Sequence, residues 1–498
     1  MALKELFRRI NRNAEHAPAY AFSARHALAQ YAATGCFGQT FYANAKEQLS
    51  TVLTLCEAVP ADFVANVAIY SRQRAFMKDM PALLCAWLSN RDRKLHETVF
   101  RAVIDDARML RNYVQILRSG AVGRKSLGSG PKRLVSEWLA SRSEEALFRS
   151  SAGQSPSMAD VLKLVHPKPA SAAREAFYGY LMGRRTEMQS LPEIVQNYER
   201  FRIGDSLDVP NLPLQLLTSL PLSKSDWKTV ALQSSWQTVR MNLNAFNRHG
   251  VFEDAEVTRR LAEKLRDPIE IASARVFPYQ ILTAWQNAFV PDEIKQALAE
   301  ALEIATGNVP AVPGRVVICP DVSGSMSGLV SGAKNSTVRC IDAAALIAAC
   351  ILRKNPRATV IPFEREVVSF EMNPLAQVLH NAERLAAICG GGTNCSAPVR
   401  LLNKRHQEAE LVILISDNES WADPPAGRGT ALMAEWDRFR LHNPKARLIC
   451  LDLQPNRTTQ AMNREDILNI GGFSDSVFEV ISGFMLGPNA GWDYIFNM

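Results

Sequence analysis

An apolar stretch at 316–320 runs directly into the motif Asp321-Val-Ser323-Gly-Ser325. The stretch has the length and composition of a buried β-strand. One carboxylate and two hydroxyl groups therefore leave the tip of a strand at alternate positions. Such oxygen ligands suit Mg²⁺, a small cation that prefers octahedral oxygen coordination and gives up its waters reluctantly. The motif predicts a magnesium site at the end of a buried strand.

Two later segments supply further oxygen ligands. Thr393 offers a hydroxyl group after the glycine turn 390–392, and Asp417 follows the buried-strand pattern 411–416. In an open α/β sheet, ligands bind beyond the carboxyl ends of the strands. Because all three segments would end there, the sequence predicts that they converge on one site of an α/β domain.

These residues resemble the metal-ion-dependent adhesion site of von Willebrand factor A (vWA) domains. Its five ligand positions are all filled, by Asp321, Ser323, Ser325, Thr393 and Asp417. The resemblance implies that both serine hydroxyls contact Mg²⁺ or another divalent cation, and that the carboxylates act largely through water. It also implies an open coordination position, which an acidic side chain of a partner or a phosphate would fill.

Two features weigh against this interpretation. Ser323 and Ser325 would also serve as caps of a following helix, although capping does not explain why Thr393 and Asp417 follow. Asn394 stands where the family commonly has Asp. The substitution removes a charge near the metal and is expected to weaken metal binding without abolishing it.

A chain of 498 residues is too long for one hydrophobic core and predicts two or three domains. Up to about residue 305, apolar residues recur at helical spacing in short segments such as 61–73, 82–88 and 95–117. Irregular helical pairs of this kind predict an α-solenoid. The prolines and glycines of 307–314 then mark a linker.

Beyond the linker, strand and helix patterns alternate. Strands are predicted at 316–319, 358–363, 367–370, 411–415, 446–451 and 477–480, and helices at 343–352, 375–387 and 431–441. This alternation predicts a mostly parallel sheet with helices on both faces. The predicted fold is therefore multidomain, α followed by α/β, with helical repeats at 1–308 and a doubly wound vWA-like domain at 309–498.

Composition argues for a cytoplasmic protein that does not enter membranes. The longest apolar run, 343–352, is far shorter than the roughly 20 residues that span a bilayer. Residues 1–12 are amphipathic and basic but lack the apolar core of a signal peptide. The nine cysteines form no CxxC pair, which predicts reduced thiols and no zinc. Cys389 and Cys395, which flank Thr393, are interpreted as packing residues.

Charge is distributed unevenly along the chain. Residues 1–250 carry 33 Lys and Arg against 21 Asp and Glu, a net +12, whereas residues 251–498 carry 24 against 29, a net −5. The segment 108–142 alone has eight basic residues and one acidic residue, although glycines 123, 128 and 130 interrupt it. Such clustering predicts a polyanion ligand, but charge alone would equally fit a solvated helix face.

The helical half resembles the TROVE module of the Ro autoantigen family. The similarity lies in the segments 38–43, 78–84, 164–169, 240–244 and 275–282. The C-terminal half likewise resembles that family's own vWA domain through 391–396 and 416–422. The resemblance covers most of the chain in patches and weakens between about 186 and 230.

Membership of this family implies a ring of HEAT-like helical repeats that binds noncoding RNA. Single-stranded ends would enter a basic hole, and structured Y-like RNAs would bind outside. The implied role is quality control of misfolded RNA, or its processing by an exoribonuclease. That enzyme would be a partner through the bound RNA and not through a direct protein contact. The candidate RNA-binding residues are Arg118, Arg124, Lys125, Lys132, Arg133, Arg149, His166, Lys168 and Arg240. For His166, a helix-capping or packing role is the alternative.

Two other functions would fit parts of the sequence. A phosphatase of the haloacid dehalogenase type also places Asp and Mg²⁺ after its first strand, but it needs a second Asp where Ser323 stands. No GxSxG, Walker or HExxH motif is present either, so the chain is predicted not to be an enzyme. The second alternative is a protein-binding adaptor, in which the metal grips an acidic residue of a partner and the helical half is a scaffold.

Overall fold

The computed structural model describes residues 11–12, 17–21, 23–34, 45–75, 77–153, 156–274, 276–330, 337–417, 420, 430–454, 458–462, 464–472 and 477–486. Several segments from the sequence analysis lie outside these ranges. They are the basic segment 1–10, the motif 38–43 with Cys36, and, from the other motifs, Arg275, 418–419 and 421–422.

The described chain up to Thr306 consists of helices joined by turns and loops, preceded by strands β1 (Asn11–Arg12) and β2 (Pro18–Ala21). The helices are α1 (Ala24–Thr34), α2 (Ala45–Glu57), α3 (Ala61–Gln73), α4 (Asp79–Leu88), α5 (Arg93–Val103), α6 (Ala107–Ser119), α7 (Ser129–Ala140), α8 (Glu144–Arg149), α9 (Met158–Val165), α10 (Ala172–Leu181), α11 (Glu193–Ile203), α12 (Leu214–Leu217), α13 (Lys224–Gln233), α14 (Trp236–Met241), α15 (Leu243–Arg248), α16 (Ala255–Leu265), α17 (Pro268–Ser273), α18 (Pro278–Asn287) and α19 (Asp292–Thr306).

Strands and helices alternate in the remainder. The elements are β3 (Val316–Pro320), α20 (Cys340–Lys354), β4 (Thr359–Val360), α21 (Val378–Ala386), α22 (Ala397–Arg405), β5 (Leu411–Ser416), α23 (Ala431–His442), β6 (Arg447–Asp452), β7 (Thr458–Thr459), β8 (Ile467–Gly471) and α24 (Val477–Leu486). The predicted fold class, helical and then α/β, is confirmed.

Packing divides the chain into two compact units. The first contains residues 60–265 with 289–294, and the second contains residues 1–59, 266–288 and 295–498. The predicted domain limits, 1–308 and 309–498, follow the change of sequence pattern at the linker and stay a prediction. In the described part of the chain, no helix is both long enough and apolar enough to cross a bilayer.

The unit of residues 60–265 is built from successive amphipathic helices that bury one face each. The pattern at 95–117 predicted one continuous segment, but the structure divides it into α5 and α6. The division lies at Asp106, whose carboxylate accepts a hydrogen bond from the Met109 backbone N–H and caps α6. Asp92 caps α5 in the same way through Lys94 and Leu95. Local capping chemistry therefore sets the helix boundaries here.

The other unit is organised by a five-stranded parallel sheet with the order β4-β3-β5-β6-β8. Side chains alternate between its two faces. One face packs on α22 and α23 through the residues Val317, Cys319, Val412, Leu414, Leu448, Cys450, Val399, Leu402, Trp436 and Phe439. Helix α20 packs against β3 and β5 and also contacts α21. The domain is doubly wound, as predicted.

The last predicted strand is wrong. Residues 477–480 begin helix α24, and the fifth strand of the sheet is β8 instead. Residues 367–370 form no strand either, and only Val367 makes an isolated bridge, to Phe363. The sequence pattern also missed α22, which begins with Pro398 in its first turn.

Candidate functional site

The predicted metal ligands lie where the order of the strands in the sheet reverses. Strand β3, the first of the sheet in sequence, lies between β4 and β5. The chain passes from β3 to β4 on one side and then crosses to β5 on the other side, so the strand order reverses at β3. Open α/β sheets bind ligands at such a point, beyond the carboxyl ends of the strands. Asp321 follows β3 and Asp417 follows β5, the neighbouring strand. Both side chains are buried.

Asp321 is held by both adjacent loops. Its Oδ1 accepts a hydrogen bond from the Ser323 backbone N–H at 2.8 Å, and its Oδ2 accepts one from the Ser416 hydroxyl at 2.6 Å. Burial raises the pKa of Asp321 to about 7, and the nearby Asp417 carboxylate contributes to this rise. Two buried carboxylates that oppose each other's ionisation form a site that a cation would stabilise.

The three predicted hydroxyl ligands also lie together. Thr393 Oγ1 donates to Ser323 Oγ at 3.0 Å, and Ser323 Oγ lies 3.2 Å from Ser325 Oγ. Ser323 starts a short 3₁₀ turn, yet its side chain makes no capping hydrogen bond. The alternative that these serines merely cap a helix is therefore wrong for Ser323, whose hydroxyl faces Thr393.

A glycine loop shapes one wall of this cluster. The Gly391 carbonyl accepts a hydrogen bond from Gly324 N–H at 3.1 Å, which joins the loop of Thr393 to the loop of Ser325. The Cys389 thiol donates to the Ser323 carbonyl at 3.2 Å, and burial raises the pKa of that thiol. The Cys389 side chain thus links its own loop to the backbone of the Ser323 loop.

Asn394 has a structural role that the sequence did not reveal. Its Oδ1 accepts from the Ser396 hydroxyl at 2.8 Å, and its Nδ2 donates to the Arg365 carbonyl at 2.8 Å. An aspartate could accept the first of these bonds but could not donate the second. Ser420 adds another link, because its hydroxyl donates to the Thr393 carbonyl at 3.3 Å. Sequence reasoning missed Ser416 and Ser420 at this candidate site, and it considered Asn394 only as the loss of a charge.

Replacing Gly391 with alanine is expected to lower the free energy of unfolding by about 1–2 kcal/mol. Gly391 has φ +80°, and an added Cβ would also meet the Glu364 carboxylate. Gly390→Ala is the matched control, because a Cβ there meets no atom within 4 Å. Thermal unfolding of both variants checks this prediction, and equal melting temperatures would contradict it.

Hydrogen bonds join the loops of Asp321, Ser323, Ser325 and Thr393, and the Asp417 carboxylate lies near Asp321. All are oxygen donors, two are carboxylates, and four are buried, whereas Ser325 is partly exposed. This donor set fits a small hard cation, and the open direction lies on the side of Ser325. The chemistry that it permits is metal-mediated capture of an anion from outside.

The predicted RNA-binding residues belong to the other unit. Residues 60–265 and 289–294 carry 30 Lys and Arg against 23 Asp and Glu, a net +7. Five of the nine predicted residues have exposed side chains: Arg118, Lys125, Lys132, His166 and Lys168. These side chains are available to a phosphate backbone.

The other four predicted residues have partners within the chain. Arg124 donates to the Ser89 carbonyl at 3.0 Å, and Arg240 donates to Gln237 at 3.0 Å. Arg133 is paired with Glu97 at 2.6 Å and Glu137 at 2.8 Å, in a network that also includes Arg101. Arg149 pairs with Glu145 at 2.9 Å. The charges of Arg133 and Arg149 are therefore partly offset by carboxylates, whereas Arg124 and Arg240 bond to neutral groups. The role of all four in RNA binding stays a prediction.

Arg149 also lines a cleft of about 880 Å³ between α8, α11 and the following loop. Its charged lining residues are Glu145, Arg149, Glu193, Arg200, Asp205 and Asp208. Four carboxylates against two guanidinium groups give the cleft a net negative charge. A phosphate backbone is thus disfavoured in this cleft.

His166 ends helix α9 in the left-handed conformation, with φ 52° and ψ 56°. Its backbone N–H donates to the Leu162 carbonyl at 2.9 Å, which closes the last turn. The imidazole is exposed, and the exposed Lys168 follows between two prolines. The capping alternative is thus correct for the backbone, while the side chain remains accessible to a ligand.

The fold and this cluster of oxygen donors define the class of protein: helical repeats followed by a domain of the vWA class. The family model for the Ro60 vWA domain matches residues 315–485. The C-terminal region therefore matches the Ro60 vWA domain, and the predicted resemblance to Ro proteins is confirmed.

Similarity to individual proteins extends beyond this domain. The chain is 23% identical over 511 residues to the RNA-binding protein RO60 of Deinococcus radiodurans, covering 94% of each chain. It is 22% identical over 278 residues to the Caenorhabditis elegans protein of the same name, covering 53% of this chain and 42% of that one. The crystal structure of the D. radiodurans Ro (Rsr) protein matches with a TM-score of 0.67 at 21% identity, over 94% of this chain and 100% of that chain.

Proposed function

We propose that the chain binds noncoding RNA through phosphate contacts from its helical unit. The observation that carries the proposal is the exposure of Arg118, Lys125, Lys132 and Lys168 on a unit with net charge +7. Arg and Lys contacts of this kind read backbone shape more than base sequence. The names of the two RO60 relatives, both RNA-binding proteins, support the same conclusion.

The finer proposal is a role in RNA quality control. The RNAs would be Y-like and misfolded noncoding RNAs with single-stranded ends. An exoribonuclease would reach the complex by binding the same RNA. The cysteines in the described part are free thiols, which supports a reduced, cytoplasmic compartment. Sequencing the RNA that copurifies with the chain tests this proposal, and recovery of bulk RNA without enrichment of structured noncoding species would oppose it.

The vWA-type domain is proposed to bind Mg²⁺ through Asp321, Ser323, Ser325, Thr393 and Asp417. When bound, the cation would supply a Lewis-acidic position for an anion from outside. The partial exposure of Ser325 favours a second function beside RNA binding, the capture of an acidic residue of a partner protein. An acidic ligand would complete the coordination, as the resemblance to adhesion-type sites implies.

Binding without turnover is the expected chemistry. The sequence offers no set of nucleophile, base and acid, and the Asp321 carboxylate is committed to hydrogen bonds with the loops around it. Labelled RNA incubated with the protein and Mg²⁺ should therefore stay intact. Cleavage that copurifies with the protein and disappears in Asp321→Ala would contradict the prediction.

A further inference from the structure

Phe289 is an aromatic residue that is exposed to solvent. Its side chain is 78% exposed. In the part of the chain that the structure describes, every other Phe, Tyr and Trp is at least partly buried. A single exposed apolar residue is common in itself, so its setting decides whether it has a role.

The backbone of Phe289 is fixed. Its N–H donates to the Asn244 side-chain Oδ1 at 2.7 Å, although the two residues are 45 positions apart. The preceding Ala288 is buried at the end of α18, and Pro291 restricts the chain just before α19. The ring is therefore presented to solvent from a held segment.

The charged residues before and after this segment differ in sign. A basic residue lies on α15, and acidic residues lie at the start of α19. Arg248 is exposed and follows Asn244 by four residues on α15, which makes their side chains neighbours on one helix face. Asp292 and Glu293 are exposed in the first turn of α19. A polyanion that reaches the ring would thus be attracted along α15 and repelled from the start of α19.

We propose that Phe289 stacks on an unpaired base of bound RNA while Arg248 contacts the adjoining phosphate. Aromatic rings beside guanidinium groups are how proteins hold single-stranded nucleic acid. A base inside a duplex cannot reach such a ring, so the ligand is RNA with unpaired nucleotides. The inference rests on the proposed RNA-binding function and deepens it, because phosphate contacts alone do not distinguish single strands from helices.

The test compares two RNAs of equal length, one unstructured and one a blunt-ended duplex, by fluorescence anisotropy. Phe289→Ala should weaken binding of the unstructured RNA about tenfold, the effect of removing one stacked base, and leave the duplex within about twofold. Phe289→Trp should restore affinity. Leu207→Ala is the matched control, because Leu207 is 91% exposed in the same unit. A 2-aminopurine in the unstructured RNA should be quenched by the parent and not by Phe289→Ala.

Each outcome is decisive. If the parent binds neither RNA, the proposed function and this inference both fail. If the parent binds both RNAs and Phe289→Ala binds them equally well, RNA binding stands and the exposed ring belongs to a protein contact instead. An equal decrease for both RNAs, with an unchanged melting temperature, would also overturn the stacking role.

Discussion

Replacing Arg118, Lys132 and Lys168 together with glutamate is expected to weaken RNA binding roughly 100- to 1,000-fold at ~0.1 M salt. Removing one phosphate contact lowers affinity by about a factor of ten under these conditions, because fewer counterions are released. The three side chains are exposed, so their replacement should cost little stability. The slope of log affinity against log salt should also become shallower by about three. Gel shifts over a salt series measure both quantities.

The control carries the same change of charge elsewhere. Lys404, Arg405 and Lys445 are exposed basic residues of the vWA-type domain. Their joint replacement with glutamate alters net charge equally but should change RNA affinity by less than a few-fold. A similar decrease in both triple variants would mean that net charge, and not the helical surface, determines binding.

Arg133 is left out of the triple variant because its charge is already committed. Glu97 and Glu137 both pair with it, and Arg101 pairs with the same two carboxylates. These contacts lower the pKa of Glu97, mainly through its hydrogen bond from Arg133. A glutamate at 133 would face two carboxylates, so weaker RNA binding could not be separated from lower stability.

For the basic residues, the sequence predicts their number in the helical half but not which of them are paired. Composition identifies an excess of Arg and Lys in the helical half, but pairing depends on residues far apart in sequence. Arg133 meets Glu97 across 36 positions, and Arg124 meets the Ser89 carbonyl across 35. Nothing in the local sequence separates these two residues from the exposed Lys125 and Lys132.

That the five candidate metal ligands lie together could be predicted from the sequence, because each one is tied to a local signal. Asp321 and Asp417 follow buried strands, and parallel strands that are neighbours end at the same edge of the sheet. The supporting residues are different. Ser416 and Asn394 act through side-chain hydrogen bonds to partners in other loops, and their residue types are ordinary in any loop.

The error at the end of the sheet has a physical cause. The segment 477–480 is apolar and β-branched enough to resemble a strand, but it is the start of the apolar helix α24. The true strand β8 contains Asn469, a polar residue in a buried position. Its Oδ1 accepts a hydrogen bond from Thr459 at 2.7 Å, which makes burial tolerable. The polar Asn469, whose partner lies ten positions away, therefore interrupted the apolar pattern by which a strand is recognised.

Asp321→Asn is expected to weaken Mg²⁺ binding about 10- to 100-fold while RNA affinity changes less than about twofold. The substitution removes a carboxylate charge from the buried cluster that also holds Ser323 and Asp417. The exposed basic residues belong to the other compact unit, so their charge is unaffected. In EDTA, stability should change little, because a weaker hydrogen bond from Ser416 is offset by relief of the burial of charge and of the repulsion by Asp417, which together raise the pKa of Asp321.

Isothermal titration with Mg²⁺ and gel shifts with RNA, made on the same preparation, measure the two affinities separately. Ser327→Ala is the matched control for the loop, because that hydroxyl donates to the Gly324 carbonyl at 2.7 Å and not to the cluster. It should leave Mg²⁺ affinity unchanged, whereas Ser325→Ala should lower it. If RNA binding fell together with Mg²⁺ binding in a folded Asp321→Asn variant, the metal would have to bridge directly to phosphate. The two units would then share one ligand, and an RNA phosphate would occupy the coordination position otherwise assigned to an acidic side chain.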